Sequence, residues 1–402
     1  MIDRKALERT VYRYTATDAT AAALARLAEL RERLDAQGPI PRIWKGRTRR
    51  DLEAEATAAS TMLEGVAVTI DEARRILAGD RPVGVSVADA DLVAGYRDAM
   101  HLGLARADAS AFAWHSELLV AVHHRVLAGS HSKGAGRLRD GQSWLTDRAS
   151  GERVYLPPPA AAVPTLVEEL CAWTNAGAEP AAIQAAIVHV SLAGIHPFKD
   201  GNGRTARLAA SLAMYRGGYR TPQFTSLEEW WGRHADSYYR ALDCLGGEWD
   251  PQADVSAFVE AHVSAQATQV EALSLRNATE RALWTVLEDI AVHDLRLHER
   301  ATHGLYDAFF ARDVTNRYYR GVADVSGVTA SHDLGKLVAS GLLQGRGAGR
   351  GAHYIATPEL YRRVVSTAEL DPGRLAADDS REESRDLALA GLAARLHGSA
   401  TG

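Results

Sequence analysis

Apolar residues recur at helical spacing along most of the chain. Leu24, Leu27, Leu30 and Leu34 step by three and four, which predicts an amphipathic helix over Asp18–Gln37 closed by Gly38-Pro39. A second helix is expected over about Asp51–Leu63, with Gly65 as the residue that ends it. Asp89–Met100, after a turn at Arg81-Pro82-Val83-Gly84, and Ala111–Leu127 read as two more. Ile183, Ile187, Val190 and Ala193/Gly194 share one side of a helix over Pro180–Ile195. The run Ala206, Leu208, Ala209, Ala210, Leu212, Ala213, Met214 predicts a mostly buried helix over Thr205–Tyr215. Ser226–Leu245 carries the aromatic cluster Trp230, Trp231, Tyr238 and Tyr239, and a helical aromatic stripe usually faces a core. Val255–Arg276 and Ala278–Ile290 are two further helices.

Period-two patterns are few. Gln142–Leu145 and Arg153–Leu156 alternate about a turn at Ala149-Ser150-Gly151 and predict one β-hairpin, stopped by Pro157-Pro158-Pro159. Near the C-terminus, Val314–Tyr319 and Ala330–Ser340 flank a glycine turn in helix-turn-helix fashion. Leu342-Leu343-Gln344 and His353-Tyr354-Ile355 then flank Gly345–Gly351 as a small wing. Beyond Asp371 come an acidic, serine-containing stretch and a short alanine/leucine helix. The chain is therefore mainly α, with room in 402 residues for two or three domains. The divisions expected are 1–100, 101–276, 277–360 and a tail over 361–402.

Composition narrows the class. With 46% hydrophobic and 24% charged residues the chain has material for a sizeable core. A net charge of −5 argues against wholesale electrostatic nucleic-acid binding and leaves room for a local basic patch. Two cysteines, Cys171 and Cys244, give no disulfide framework, so a reducing compartment is expected. No apolar run reaches the length of a membrane span, and the N-terminus lacks a secretory apolar segment, which makes the cytoplasm the expected location. No internal repeat is evident.

The chemistry concentrates in His196-Pro-Phe-Lys-Asp-Gly-Asn-Gly-Arg-Thr-Ala-Arg207, a tight loop entering a helix. The first turn of that helix leaves backbone N–H groups unpaired, and its macrodipole adds roughly half a positive charge. Gly201 and Gly203 let an anion approach the backbone, and Arg204 and Arg207 supply planar forks suited to phosphate. Asp200 would repel a phosphate unless a divalent cation lay between them, which points to Mg²⁺. His196 is of the type that titrates near neutrality and can take a proton from an attacking hydroxyl. Gly201–Ala206 also fits the dinucleotide pattern G-x-G-x-x-A, but Lys199 and Asp200 stand where that fold needs an apolar strand. Other histidines carry less. His123 and His124 point about 100° apart on a helix and cannot share a metal, so they read as surface or core residues. His298-Glu299 with His303 misses the H-E-x-x-H spacing by one residue.

The twelve-residue stretch resembles the Fic motif, H-x-F-x-[D/E]-G-N-G-R-x-x-R, at every defined position. The resemblance implies a Fic-type helical bundle with a β-hairpin flap. It implies a protein adenylyltransferase that moves AMP from ATP to a Ser, Thr or Tyr hydroxyl of a target, this chain itself among the candidates. It casts His196 as general base, Asp200 as Mg²⁺ ligand, Asn202 with the Gly201 and Gly203 amides as anion hole, Arg204 and Arg207 as phosphate clamp, and Phe198 as apolar anchor. Ser60-x-x-x-Glu64-Gly65 resembles the inhibitory motif of such proteins, on a helix over about 51–65, with Glu64 set against Arg207. The hairpin resembles the flap, placing Trp144, Leu145, Val154 and Tyr155 along a docked target segment. Gly136-x-x-Arg139 and Tyr155–Pro159 share in this resemblance. A Tyr-Tyr pair near adenine in relatives makes Tyr238 and Tyr239 candidates for the adenine pocket; His234 stands where relatives commonly carry asparagine. The C-terminal region resembles the winged helix-turn-helix domain found behind some Fic domains, with Arg320, Ser331, His332, Lys336, Arg346 and Arg350 as candidate DNA contacts beside a docking or structural role. A homodimer is compatible with all of this. Three alternatives stay open: AMP removal by the same site, another nucleotide donor, and a DNA-binding regulator with an ancillary nucleotide-sensing domain.

Overall fold

The computed structural model describes residues 12–36, 42–146, 150–220, 227–370 and 381–400. The chain divides into two compact units, Met1–Glu271 and Ala272–Gly402. The boundary falls within one continuous helix.

In the first unit, α1 (Asp18–Ala36) buries Leu27, Leu30 and Leu34 as the spacing requires; its expected stop at Gly38-Pro39 lies outside the described residues. Helix α2 spans Arg42–Met62 rather than starting at Asp51, so the basic run Lys45–Arg50 is helical. Lysine and arginine are good helix formers, and a run of like charge alone does not end a helix. Every residue from Leu52 to Thr61 is buried. The small side chains among them allow this enclosure: a Cβ added at Gly232 would come within 2.9 Å of the Ala59 Cβ. Helix α3 (Ile70–Leu77) is capped by Thr69, and α4 (Val87–Ala107) by Ser86, whose side chain accepts from Asp89 N.

Helix α5 (Ser116–Val126) begins five residues later than the pattern predicts. The reason is local. Asn175 accepts from Trp114 N at 2.7 Å and donates to Trp114 O at 2.8 Å, holding that segment out of the helix. Strands β1 (Leu145–Thr146) and β2 (Arg153–Tyr155) form a short irregular hairpin, with Leu145 paired to Tyr155. Its turn at 147–149 lies outside the described residues.

Helix α6 (Val163–Ala176) leads to α7 (Ala181–Ile195) and α8 (Asn202–Arg216), which form the centre of the unit and are buried on nearly every side. Alanines at 185, 186, 206, 209, 210 and 213 make that close packing possible. The aromatic stretch is two short helices, α9 (Leu227–Arg233) and α10 (Ala235–Leu242), broken at His234. Its expected start at Ser226 is outside the described residues. The two helices expected over 255–290 are one, α11 (Ser256–Asp289), ending in a wide turn over Ile290–Asp294. No glycine or proline interrupts that segment to break it.

The second unit contains α12 (Ala301–Phe309), α13 (Asn316–Ala323) and α14 (Gly327–Ala339), then strands β3 (Leu343–Arg346) and β4 (His353–Ala356) in antiparallel register, Leu343 opposite Ala356. Helices α15 (Pro358–Thr367) and α16 (Arg381–Ala400) follow. Leu305, Phe309, Tyr319, Leu334, Leu337, Leu360 and Tyr361 are buried within it. Asp333, also buried, is held by Arg300 at 2.7 Å and by the Tyr319 hydroxyl at 3.1 Å.

Burial of imidazoles sets a pH dependence for the first unit. Burial pushes His262 down to about 3 and His123 to about 4, and carries His189 well below its ordinary value. Below about pH 6.5 the unfolded chain therefore takes up protons that the folded chain refuses, so stability falls with pH until the folded values are reached. Buried Glu228, whose carboxyl is raised by burial, works the other way. A denaturant titration at pH 7 and pH 5 is expected to show a loss on the order of 2 kcal/mol for each such histidine. Equal stability at the two values would contradict this account of the core.

Candidate active site

His196 caps the C-terminus of α7 in the left-handed region, φ 49° and ψ 60°, which a non-glycine residue adopts only when its surroundings hold it there. Arg139 does the holding. Its Nε donates to His196 O at 2.8 Å, its backbone N to Pro197 O at 2.9 Å, Nη1 to Gly141 O at 3.1 Å, and Nη2 to Pro158 O. One buried guanidinium thus ties the loop to the base of the hairpin. The half-buried His196 imidazole is pushed down to about 4, first by burial and also by Arg139, against the opposing pull of an Ala193 backbone hydrogen bond and the Glu64 and Asp200 charges. At neutral pH it is an unprotonated base.

The next residues are fixed from beneath. Phe198 is buried and stacks on His123, ring centroids 3.7 Å apart and planes 10° from parallel. His123 Nδ1 accepts from Gly136 N at 3.1 Å, which leaves the proton on Nε2, 2.8 Å from Asp200 O. Asn202 accepts from Phe198 N at 2.9 Å and donates to Phe198 O at 2.8 Å. Its carboxamide staples the loop, so any part Asn202 takes in an anion hole falls to its backbone N–H. Gly201, at φ +75°, turns the chain into α8, where the N–H groups of Asn202, Gly203 and Arg204 have no acceptor within the helix.

The charged groups surround that helix end. Asp200 Oδ1 accepts from Gly201 N at 2.6 Å and lies 3.3 Å from Arg204 Nη2; Oδ2 lies 3.7 Å from Lys133 Nζ. Arg204 is buried, and its Nε and Nη1 have no hydrogen-bond partner among the described residues. Burial pushes its pKa down, which marks a cation short of counter-charge. Arg207 is fully engaged. Its Nε donates to Ser60 Oγ at 3.0 Å, and Nη2 donates to Ser60 O at 2.9 Å and Glu64 Oε1 at 2.8 Å. Behind it, the buried Tyr96 hydroxyl donates to Glu228 at 2.7 Å.

Glu64 reaches Arg207 because α2 ends as it does. Val66 N bonds to Thr61 O and Gly65 N to Met62 O, with Gly65 at φ +85°, so Glu64 is the C-cap residue and the chain turns sharply after it. A Cβ added at Gly203 would collide with Glu64 Oε1 and lie 3.0 Å from Arg207 Nη1. The glutamate carboxylate therefore rests on the first turn of α8.

The remaining candidates are placed less uniformly. Tyr238 is buried, its hydroxyl 3.4 Å from Arg207 Nη1 and 3.1 Å from His189 Nε2. Tyr239 is half-exposed and donates to Leu63 O at 3.0 Å. His234 stacks on Trp230, with Nδ1 2.8 Å from Trp230 O, and so serves the break between α9 and α10. On the hairpin, Trp144 and Val154 are exposed, and Arg153 lies over the Trp144 ring at 4.4 Å. Tyr155 is buried and donates to Gly194 O at 3.0 Å, while Leu145 packs against the core. These two anchor the hairpin to the core, as the alternation turns them inward.

The sequence reads His123 only as a surface or core residue and Arg139 only as part of the flap resemblance, and gives neither a part in supporting the loop. The signal for His123 was present: Leu119, Val122, His123 and Val126 form one buried stripe of α5. For a metal, no group of three His, Cys, Asp or Glu side chains comes together among the described residues. Asp200 is a lone, partly exposed carboxylate. That suits Mg²⁺ arriving on phosphates, which takes one or two carboxylates and keeps water, rather than a resident ion in a protein cage.

Residues 113–214 match the Fic/DOC family. "Protein adenylyltransferase Fic" of Nematostella vectensis is 28% identical over 261 residues, 63% of this chain and 53% of that protein. "Protein adenylyltransferase fic-1" of Caenorhabditis elegans is 33% identical over 105 residues, 25% of this chain and 19% of that one. The chain spans about half the length, or less, of these curated relatives. A Fic family protein from Desulfovibrio desulfuricans G20 superposes with a TM-score of 0.57 at 22% identity, covering 86% of this chain and 97% of that one. Fic-1 from C. elegans superposes at 0.52, also at 22% identity, over 63% and 72%. The mainly helical Fic fold is common to this chain and these two structures.

The staple at Asn202 yields a stability test. Asn202→Ala leaves a buried N–H and C=O of Phe198 without partners and is expected to lower unfolding free energy by about 2–4 kcal/mol. A loss below about 0.5 kcal/mol in a denaturant titration would show that the carboxamide does not hold the loop.

Proposed function

We propose that this chain is a protein adenylyltransferase whose nucleotide site is closed in the resting state by Glu64. The observation that carries the reading is Arg204, a buried guanidinium with two donors unsatisfied among the described residues, at the N-terminus of α8. A buried cation in that position calls for an anion, and a helix N-terminus with glycine beside it suits phosphate. The adenylyltransferase names of the relatives supply the transfer reaction.

The residues divide the work as follows. Amides of the first turn of α8 and the free donors of Arg204 bind phosphate oxygens. Arg207, once free of Glu64, holds the outermost phosphate. Asp200 is the residue that would hold Mg²⁺ brought with ATP, an ion that neutralises phosphate charge. A target hydroxyl lies along β2, aligned through the edge of the hairpin, with Trp144 and Val154 exposed beside it. His196, neutral at pH 7, takes the hydroxyl proton. The oxygen then bonds to the α-phosphorus, the bond from that phosphorus to the bridging oxygen breaks, and pyrophosphate leaves with the electron pair. Fixed donors at the phosphates carry most of the rate, and the base adds about 10²–10⁴-fold.

Inhibition is a matter of occupancy. The Glu64 carboxylate rests on the α8 first turn and in the Arg207 fork, where a phosphate would bind. A charge-assisted pair of this kind, largely out of water, contributes about 1.5–3 kcal/mol. Glu64→Gly is therefore expected to raise incorporation from α-labelled ATP at least about tenfold. In that background His196→Ala should lower it by about 10²-fold or more. Equal labelling with and without Glu64 would remove the inhibitory role, and full labelling without His196 would remove the base.

A further inference from the structure

We propose that Tyr238 and His189 are positioning residues for Arg207, a short hydrogen-bonded relay that holds one arm of the guanidinium beside the first turn of α8. The relay does not pass through Glu64. It therefore keeps the fork aimed after that carboxylate has left, and it sets the affinity for the outermost phosphate. The role rests on the adenylyltransferase reading, in which Arg207 meets that phosphate. Arg207 lies on α8, Tyr238 on α10 and His189 on α7, and all three are buried.

The donors fix the direction of each bond. A guanidinium has N–H groups and no acceptor, so the 3.4 Å contact of Arg207 Nη1 with Tyr238 Oη runs from arginine to tyrosine. The Tyr238 hydroxyl must then place its own proton elsewhere, and His189 Nε2 lies 3.1 Å away. That nitrogen is the acceptor, which makes the imidazole neutral with its proton on Nδ1. The surroundings agree. Burial, then the His262 ring and the Arg207 charge, carry His189 well below its ordinary value. Phe258 and His262 of α11 each meet the ring edge-on, with centroids 5.3 Å apart and planes at 83°. Apart from Ser191, the other buried residues of α7 are apolar, and Nδ1 has no hydrogen-bond partner among the described residues. An imidazole is costly to bury there, and its bond to Tyr238 is what accounts for it.

The two edges of the fork have different keepers. Ser60 holds the Nε and Nη2 edge, at 3.0 Å and 2.9 Å, and Glu64 adds its bond to Nη2. Nη1 is bonded to Tyr238. Nη1 is also the arm beside the open amides, 3.0 Å from where a Cβ on Gly203 would stand. Departure of Glu64 thus takes one bond from Nη2 and none from Nη1. Ser60 on one edge and Tyr238 on the other keep the plane of the guanidinium fixed while its remaining N–H groups turn to phosphate. Tyr238 can serve because its ring is clamped. It packs against Trp231 and Tyr239, with centroids 5.3 Å and 5.2 Å away, in a cluster with Leu63, Leu227 and Ala265. Arg207 Cζ lies over the same ring, 5.8 Å from its centroid. A hydroxyl on a ring so held needs no reorganisation when the phosphate arrives.

The test uses the full chain carrying Glu64→Gly and calorimetric titration of ATP, ADP and AMP. Tyr238→Phe removes one oxygen and leaves the ring to fill its place. It is expected to weaken ATP binding about tenfold while ADP and AMP change by less than about twofold, because only ATP carries the phosphate that Arg207 holds. His189→Leu, which offers the Tyr238 proton no acceptor, should do the same. His189→Gln sets an amide oxygen near the place of Nε2 and should keep most of the ATP affinity. Should His189→Leu not fold, Tyr238→Phe and His189→Gln carry the comparison. Equal losses for all three nucleotides would overturn the proposal and put Tyr238 at the adenine instead. Unchanged ATP binding by Tyr238→Phe would overturn it too, leaving Ser60 to hold the fork alone, and a His189→Gln loss as large as that of Tyr238→Phe would remove His189 from the relay. Failure of the Glu64→Gly chain itself to bind ATP would overturn the adenylyltransferase reading, and the proposal with it.

Discussion

A positive charge buried among helices is the constraint around which the first unit is arranged. Arg207 sits on α8 with its guanidinium out of solvent, and such a charge is tolerated only when its donors are met. Ser60 and Glu64 meet them from α2, at 2.8–3.0 Å. With that demand goes the burial of α2 from Leu52 to Thr61, and its ending in a left-handed glycine that turns the chain immediately after Glu64. It also gives the proposed inhibition its physical form. The helix is part of the core, so release needs only a side chain to leave the fork and a phosphate to replace it.

The loop at 196–207 is built from beneath by groups that do no chemistry. Arg139 fixes the backbone of His196 and Pro197, His123 fixes Phe198 and Asp200, and Asn202 fixes Phe198 again. The first turn of α8 is thereby left with open amides beside an under-neutralised Arg204. Rigid support under unsatisfied donors is the arrangement that binds an anion without reorganisation when it arrives.

Much of this is legible in the sequence, and what is not has physical causes. The helices around the loop were readable because their apolar periodicity is long and unbroken, and Gly65 because only a left-handed C′ residue ends α2 in that way. Tyr155 and Leu145 turn inward together because the two are paired across the hairpin on one face of the pleat. The Asn202 carboxamide bonds the Phe198 backbone across a spacing of four, a contact within a loop that carries no periodic signal. Of the two places open to His123, surface or core, the apolar stripe of α5 that contains it selects the core. Long-range hydrogen bonds such as Arg139 to His196 have no periodic signature, so they became visible only in three dimensions.

The central claim is that Glu64 and the outermost phosphate of ATP compete for the Arg207 fork. Calorimetric titration of ATP and of ADP into the wild-type chain and the Glu64→Gly variant tests it without any turnover. The account predicts that losing Glu64 tightens ATP binding at least about tenfold more than ADP binding, since only ATP carries the competing phosphate. An equal change for both nucleotides, or none for either, would contradict it.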